Sequence, residues 1–210
     1  LGRANVLDAH HHYRWPVIDQ VAEASVRPAL AVACQSPTNT GKWPAPLPSR
    51  CEDAAASLFR RRRSAQAFDG ETVLPLTDFY RMLDQLLVRP GHAPWDCLPW
   101  RPRVHLVLFV HQVEGLQPGL YCLPRHGEAL AKLKSATRKE FLWHEVAEKP
   151  PQLPLYLLLA ANAQRTAAQL SCHQAIAGVS CFSLAMVAEF DDHVAESPWK
   201  YRELFWEAGA

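Results

Sequence analysis

Four consecutive arginines followed by a serine, Arg60 to Ser64, form the densest local charge in this chain. Adjacent guanidinium groups and a hydroxyl can make several charge-assisted hydrogen bonds to one phosphate, because guanidinium presents a planar fork of donors. The same cluster can instead be a solvated helix end, since cations are favourable near a helix C-terminus. Taken alone, these residues favour the solvated helix end.

The N-terminal stretch Asp8-Ala9-His10-His11-His12 suggests a different chemistry. Alternate imidazoles on a strand point the same way and can bind one divalent ion. The spacing resembles the first metal-ligand motif of the amidohydrolase superfamily. That fold is a (β/α)₈ barrel of about 250 residues or more, and the downstream sequence lacks its strand-helix alternation. We therefore favour a chance histidine run and predict no metal site.

Cys172 and His173 stand at the start of a predicted helix. A cysteine and a histidine in such a place are more often packing and capping groups than catalytic ones. The catalytic residues therefore stay unknown at this point.

The overall charge argues against two classes of partner. Lys and Arg total 22 against 21 Asp and Glu, a net charge of +1. Aromatic side chains could stack on bases, but without a basic surface nucleic acid has no electrostatic support. No apolar run reaches the roughly 18 residues of a membrane helix. We predict no nucleic acid and no membrane as partners.

Composition and cysteine spacing indicate a globular protein of a reducing compartment. The chain has 210 residues, 49% hydrophobic and 20% charged, and its six cysteines form no C-x-x-C pair. Neither a zinc ribbon nor a disulfide scaffold is indicated, and no secretory signal opens the sequence. The localisation expected is cytoplasmic. Because the chain begins with Leu1 and stops in what reads as mid-helix, we expect a fragment whose C-terminal part is missing.

Proline content separates two regions. Residues 1–52 contain six prolines and are predicted to form an N-terminal arm or linker with one short amphipathic helix over 17–24. Residues 53–210 are predicted to form the folded domain. Its helices are expected over 54–63 (capped by Asp53), 77–86 (capped by Thr77), 138–147, 174–190 and 199–206, and its strands over 103–111, 120–123 and 155–161. This order predicts an α+β sandwich with helices covering a central sheet.

Three segments, in the right order, resemble the nitroreductase family of flavoenzymes. Arg62-Arg63-Ser64-Ala65-Gln66-Ala67-Phe68 is similar to the family's opening Arg-Arg-Ser-x-Arg-x-Phe. The segment 113–121 and the pair 171–178 and 199–209 are similar to the branch of thiazole- and oxazole-forming dehydrogenases. The resemblance covers about residues 53–210. It implies a nitroreductase-like sandwich with a central, mainly antiparallel sheet.

The resemblance also implies a cofactor and its contacts. Arg62, Arg63 and Ser64 would contact the FMN phosphate or ribityl hydroxyls, and Gln66 stands where the family usually has Arg or Lys. The flavin would carry electrons between a donor, NAD(P)H or a substrate heterocycle, and an acceptor, with a small molecule or a peptide as substrate. The family further implies a homodimer, or pairing with a second related domain, with FMN at the subunit boundary and the face of Trp199 to Trp206 toward the partner.

One departure from the family opens an alternative. Its Pro-Ser-x-Gly-Gly segment, which approaches the flavin ring, should lie near residues 94–103, where this chain has Pro-Trp-Asp-Cys-Leu-Pro-Trp-Arg-Pro-Arg. Those bulky residues cannot approach a ring in the same way. The alternative is a degenerate member of the fold that serves as a scaffold or peptide-binding subunit without redox activity.

Overall fold

The computed structural model describes residues 13, 15–28, 43–49 and 52–210. The helices in these ranges are α1 (Pro16–Ala24), α2 (Ala55–Arg61), α3 (Leu76–Gln85), α4 (Ala129–Ala136), α5 (Gln164–Leu170), α6 (Ile176–Val179), α7 (Asp191–Glu196) and α8 (Tyr201–Gly209). The strands are β1 (Val104–Val110), β2 (Gly119–Leu123), β3 (His144–Glu145), β4 (Tyr156–Ala160) and β5 (Phe182–Ala188). No helix among the described residues is both long and apolar enough to cross a bilayer.

The five strands form one sheet in the order β3-β4-β2-β1-β5, and every neighbouring pair is antiparallel. Strand β1 lies inside the sheet because its sequence, Val-His-Leu-Val-Leu-Phe-Val, is β-branched, aliphatic or aromatic at nearly every position. Strand β2 meets β4 closely at Gly119, where an added Cβ would lie 2.3 Å from the Leu159 carbonyl oxygen. The α+β class and the antiparallel sheet are therefore as the sequence predicts.

Alternation along β1 divides the core into two layers. Leu106, Leu108 and Val110 pack against Phe79 and Leu83 of α3. They also pack against Leu87 in the turn that follows this helix. Residues of opposite parity, Val107 and Phe109, pack with Ala167 of α5 and Ala177 of α6. Helix α4 covers β2 and β4 on that second face through Ala129 and Leu133. The sheet therefore lies between helices on both faces.

Several predicted elements are confirmed with small shifts. Strands β1 and β4 fall inside the predicted 103–111 and 155–161, and β2 returns antiparallel to β1. Helix α3 begins at Leu76, one residue before the predicted cap, and the backbone of Pro75 occupies the N-cap position. Thr77 is therefore inside the helix, because proline at the cap needs no N–H and favours a helix start.

Two predicted helices are wrong. The apolar run 174–190 contains the one-turn helix α6 and then strand β5, which pairs with β1 along its whole length. Periodicity cannot separate a helix that is apolar on all sides from a buried strand, and here the backbone donors of β1 decide the outcome. The predicted helix over 138–147 does not form. Helix α4 ends before it, at Ala136, and the segment itself contains the short strand β3.

Residues 43–49, inside the predicted arm, are docked against α3 by a buried ion pair. Arg89 Nη2 donates to Asp84 Oδ1 at 2.7 Å, and both side chains are almost fully buried. The other Asp84 oxygen accepts from Leu47 N at 2.8 Å, and Arg89 Nε donates to Pro44 O at 2.7 Å. The boundary between residues 1–52 and 53–210 stays a prediction. The histidine run 10–12 lies outside the described residues.

Replacing Asp84 with alanine is expected to lower the free energy of unfolding by roughly 3–5 kcal/mol, because it leaves the Arg89 charge buried and unpaired. Urea unfolding followed by circular dichroism measures the change. The matched control is Asp53→Ala, which removes the exposed pair with Arg61 and should cost at most about 1 kcal/mol. Equal effects of the two substitutions would contradict the docking role of Asp84.

Candidate functional site

The arginine-rich turn follows α2, and the side chains of Arg62 to Gln66, called the phosphate segment below, are all exposed. The sequence predicts that the Asp53 side chain caps α2, but this prediction is wrong. The Asp53 carboxylate instead pairs with Arg61 at 2.6 Å. No residue of α2 is buried. The segment therefore presents its functional groups to solvent and contributes little to the core.

Arg63 and Arg62 have different surroundings. Arg63 Nη1 donates to the carbonyl oxygens of Arg60 and Arg62 at 2.9 and 2.8 Å, which satisfies acceptors at the end of α2. Within the described residues no carboxylate pairs with Arg60, Arg62 or Arg63. Arg62 and Ser64 can thus receive an anion as they stand, and Arg63 can join them by exchanging its carbonyl partners for phosphate oxygens.

The chain after the phosphate segment is fixed at the C-terminal end of β1. Asp69 Oδ1 accepts from Glu71 N and Thr72 N at 3.0 Å each. Together with the Thr72 hydroxyl, these bonds lower the pKa of Asp69 to about 2. Gln112 Nε2, just beyond β1, donates to Gly70 O at 2.5 Å, and Leu74 forms a parallel bridge with Val113. The segment is thereby held from its C-terminal side.

The N-terminal end of β1 is filled by a buried cluster around Arg125, called the clasp below, which also contains Trp95 and Glu207. Arg125 Nη1 donates to Glu207 Oε1 at 2.9 Å and to Val104 O at 3.2 Å, and its Nε donates to Leu86 O at 2.9 Å. The guanidinium carbon lies 4.4 Å from the centre of the Trp95 ring. The side chain of Arg125, which follows β2, therefore connects three other elements: the C-terminal end of α3, the start of β1, and α8.

Glu207 completes the clasp from α8. Its carboxylate accepts from Arg103 N and Val104 N as well as from Arg125. Burial raises the pKa of Glu207, and Arg125 and the two backbone donors partly oppose that shift. The backbone N–H groups of Arg103 and Val104 are therefore already hydrogen-bonded to a side chain of the protein.

The clasp decides how residues 94–103 could meet a flavin. Trp95 is buried and its Nε1 donates to Gln85 O at 2.9 Å, while the rings of Trp100 and Trp206 lie 6.2 Å apart. Side chains and a carboxylate thus occupy the space that a glycine-rich backbone would leave open. The residues present fit the phosphate of FMN at the phosphate segment, and they do not fit its ring at 94–103.

Beside the clasp, His105, His126 and Glu189 form the imidazole cluster. His105 Nε2 lies 3.2 Å and His126 Nε2 lies 2.7 Å from the same Glu189 oxygen, Oε1. His105 Nδ1 accepts from Arg125 N at 3.2 Å, so its proton is on Nε2 and is donated to Glu189. The other Glu189 oxygen, Oε2, accepts from Lys132 at 3.1 Å. The carboxylate is thus surrounded by donors.

Burial and hydrogen bonds fix the charges in the imidazole cluster. Desolvation lowers the pKa of His105 to about 4 and also lowers the pKa of His126, so both rings are neutral at pH 7. Burial by itself raises the pKa of Glu189, but hydrogen bonds from His126, His105 and Lys132 outweigh it and bring the pKa to about 2. Glu189 is therefore an anion held by neutral and cationic donors.

The three ligand atoms of the imidazole cluster lie within 4.8 Å of one another, a spacing that could hold a metal ion. The protonation pattern opposes it, because a metal on His105 Nε2 would displace that proton to Nδ1, against the Arg125 N–H. Bound imidazoles normally donate their second N–H to an acceptor, and the buried His126 Nδ1 has no hydrogen-bond partner. The three side chains form a hydrogen-bond network in which the buried His126 Nδ1 has no partner, and the absence of a metal site stays a prediction.

A cavity of about 270 Å³ borders the imidazole cluster, whose His105 and Glu189 are among its lining residues, and lies between α4 and the start of α7. Lys132, Glu189, Asp191 and Asp192 are its charged lining residues, and Leu133, Ala136, Val187 and Phe190 are among its apolar ones. Three carboxylates against one ammonium repel a phosphate dianion. This cavity is therefore a poor place for the phosphate of a nucleotide.

Cys172 and His173 lie on the surface between α5 and α6, with positive φ angles of 56° and 61°. Both side chains are exposed, so the expected packing role is wrong. Neither residue belongs to the clasp, the imidazole cluster or the cavity lining.

Sequence reasoning singled out Arg62 to Gln66, whose phosphate role stays a prediction, but it missed the clasp and the imidazole cluster. The phosphate segment is contiguous, whereas Arg125 and Glu207 lie 82 positions apart. The available signal was a set of ionisable residues inside apolar runs: His105 within β1 and Glu207 between the apolar residues of α8.

The fold is similar to that of a solved structure. A crystal structure from Anabaena variabilis, of a protein provisionally described as a nitroreductase, superposes with a TM-score of 0.50 at 17% identity. The match covers 73% of this chain and 27% of that chain, so this chain spans about a quarter of its length. No family model matches the chain, and no curated protein matches it. The likeness shows a nitroreductase-like fold, as the sequence predicts.

We expect the free energy of unfolding to depend on pH because the imidazole of His105 stays neutral in the folded protein. Below pH 6.5 the unfolded chain protonates His105, whereas the folded protein resists protonation down to about pH 4. The unfolded state therefore binds more protons in this window, and stability falls as the pH is lowered. His105→Gln keeps a donor and an acceptor but does not titrate, so we expect a shallower fall, by up to about 1.4 kcal/mol per pH unit.

Urea unfolding of both proteins at steps between pH 7 and pH 4 measures this difference. Glu203 and Glu207, whose pKa values are raised by burial, act in the opposite direction in both proteins and cancel in the comparison. Parallel curves for the two proteins would contradict a neutral His105.

Zinc gives an independent test of the imidazole cluster. We expect equimolar zinc to raise the Tm of the wild type no more than that of His126→Gln, because the cluster needs no ion. Calorimetric unfolding measures both shifts. A rise confined to the wild type would show that the cluster binds zinc.

Proposed function

We propose that this chain is a nitroreductase-type, FMN-dependent oxidoreductase domain whose phosphate segment holds the phosphate end of the cofactor. The observation that carries the proposal is that the side chains of Arg62 and Ser64, two residues apart in sequence, are both exposed, and that Arg62 has no carboxylate partner among the described residues. A dianionic phosphate needs fixed cations and hydroxyl donors. The nitroreductase-like fold supports the same proposal.

Each residue of the phosphate segment has a defined task in this proposal. Arg62 supplies a guanidinium fork, Ser64 a hydroxyl donor, and Gln66 a neutral amide donor. Arg63 adds a second charge after leaving the carbonyl oxygens of Arg60 and Arg62. Redox chemistry would come from the bound flavin. NAD(P)H as donor, a small molecule or peptide as substrate, and kinship with the thiazole- and oxazole-forming dehydrogenases are parts of the proposal.

We include a dimeric partner in the proposal because of α8. Its inner face buries Glu203, Leu204 and Glu207, whereas Phe205 and Trp206 are 61% and 53% exposed. Aromatic residues are enriched at protein interfaces. This outer face favours a second copy, or a second related domain, over solvent.

A scaffold or peptide-binding subunit without redox activity is the second candidate. The clasp favours it, since residues 94–103 lack the open backbone that a flavin ring would need. The two candidates differ in whether any flavin phosphate is bound, which is directly measurable.

Replacement of Arg62 or Arg63 by alanine should weaken FMN binding roughly tenfold to a hundredfold, because each removes a charge-assisted hydrogen bond of about 1.5–3 kcal/mol. Fluorescence anisotropy of FMN titrated with protein measures the affinity. Both variants should keep the wild-type Tm, since neither side chain packs in the core.

Arg165→Ala is the matched control, because Arg165 is an exposed arginine on α5 and its loss should leave FMN affinity unchanged. Equal affinity of wild type, Arg62→Ala and Arg63→Ala would remove the phosphate role. No FMN binding by the wild type would favour the scaffold.

A further inference from the structure

The resemblance to flavoenzymes places a ring-binding loop at residues 94–103, and the clasp is what the structure has there. A loop that approaches a flavin ring needs small residues and free backbone donors. No glycine occurs between His92 and Glu114, and the Trp95 indole is held by Gln85 O on its edge and by Arg125 on its face. Trp95 therefore anchors this segment in the core, whereas Pro94, Asp96, Cys97 and Pro99 are exposed.

The backbone donors nearest this segment are also occupied. Glu207 accepts from Arg103 N and Val104 N at 2.9–3.1 Å, inside the protein. A ligand that took these donors would leave a buried carboxylate with fewer partners, which costs free energy. The occupation of these donors therefore disfavours a ring at this end of β1.

The cavity beside Glu189 does not substitute for the missing loop. Its charged lining is dominated by Glu189, Asp191 and Asp192, which disfavour a ligand carrying a phosphate dianion. This cavity therefore does not combine phosphate-binding groups with an apolar slot for a ring.

We infer that this chain recognises FMN as a phosphate monoester and not as a flavin, with the phosphate segment as its contact among the described residues and the clasp excluding the ring from residues 94–103. The inference rests on the proposed function and narrows it.

Three ligands that share parts of FMN test the inference on the wild-type chain. FMN carries ring and phosphate, riboflavin carries the ring alone, and ribose 5-phosphate carries a sugar phosphate alone. FMN and riboflavin are followed by the anisotropy of their own fluorescence, and ribose 5-phosphate by its displacement of FMN. We expect FMN and ribose 5-phosphate to bind within about threefold of each other, and riboflavin to show no binding.

Two further readouts accompany the titration. Bound FMN should keep its fluorescence intensity, since the proposed contact ends at the phosphate; a loss of intensity would indicate that the ring stacks on a side chain such as the exposed Phe59 or Phe68 and would contradict the inference. Arg62→Ala should weaken FMN and ribose 5-phosphate by the same factor, because both are held by the same groups.

The possible failures are distinguishable. Riboflavin binding, or FMN binding more than about tenfold tighter than ribose 5-phosphate, would show a ring contact on this chain. That result would overturn this inference while leaving the proposed function in place. Absence of binding by all three ligands would remove the phosphate site and the proposed function together.

Discussion

The buried pair between Arg125 and Glu207 is the interaction on which the arrangement of elements depends most. The two charges lie 2.9 Å apart with almost no exposure to water, and desolvation would make them unfavourable without further partners. Those partners are backbone groups: Leu86 O and Val104 O accept from Arg125, and two N–H groups at the start of β1 donate to Glu207. Forming these hydrogen bonds therefore requires α3, β1, β2 and α8 to be in place at once, which fixes one end of the sheet, although the buried Nη2 of Arg125 has no partner.

The two ends of β1 consequently differ in physical character. Seven residues of strand span about 20 Å, with the clasp and the imidazole cluster at the N-terminal end and the anchor of the phosphate segment at the C-terminal end. Charges at the first end are paired, buried and shifted in pKa. Charges of the phosphate segment are exposed and lack carboxylate partners in the described chain. Stability and the proposed ligand recognition thereby rest on separate sets of ionisable groups.

Local patterns predict the parts of this fold that local forces determine. Helix α3 and strand β1 follow from the spacing of Phe79, Leu83 and the β-branched run after Arg103, and the α+β class follows from their order. Strand β5 could not be read from its own sequence, because its apolar residues suit a helix equally well and only the donors and acceptors of β1 select a strand. The clasp depends on contacts across more than 80 positions, which no spacing rule detects. Arg62 to Gln66 could be proposed as a phosphate site from the sequence because these residues are contiguous; that role stays a prediction.

The position of the phosphate segment outside the core has a consequence for evolution. A side chain that supports no packing can be exchanged without a penalty in folding, so drift at Arg62 to Gln66 changes what is bound before it changes whether the chain folds. The glutamine at position 66 fits such a history. Substitutions at the clasp have the opposite effect. They would destabilise the fold, so selection would remove them before they could change the ligand. We therefore expect tolerated substitutions to accumulate in the phosphate segment, at the C-terminal end of β1, and the residues of the clasp, at its N-terminal end, to stay constant.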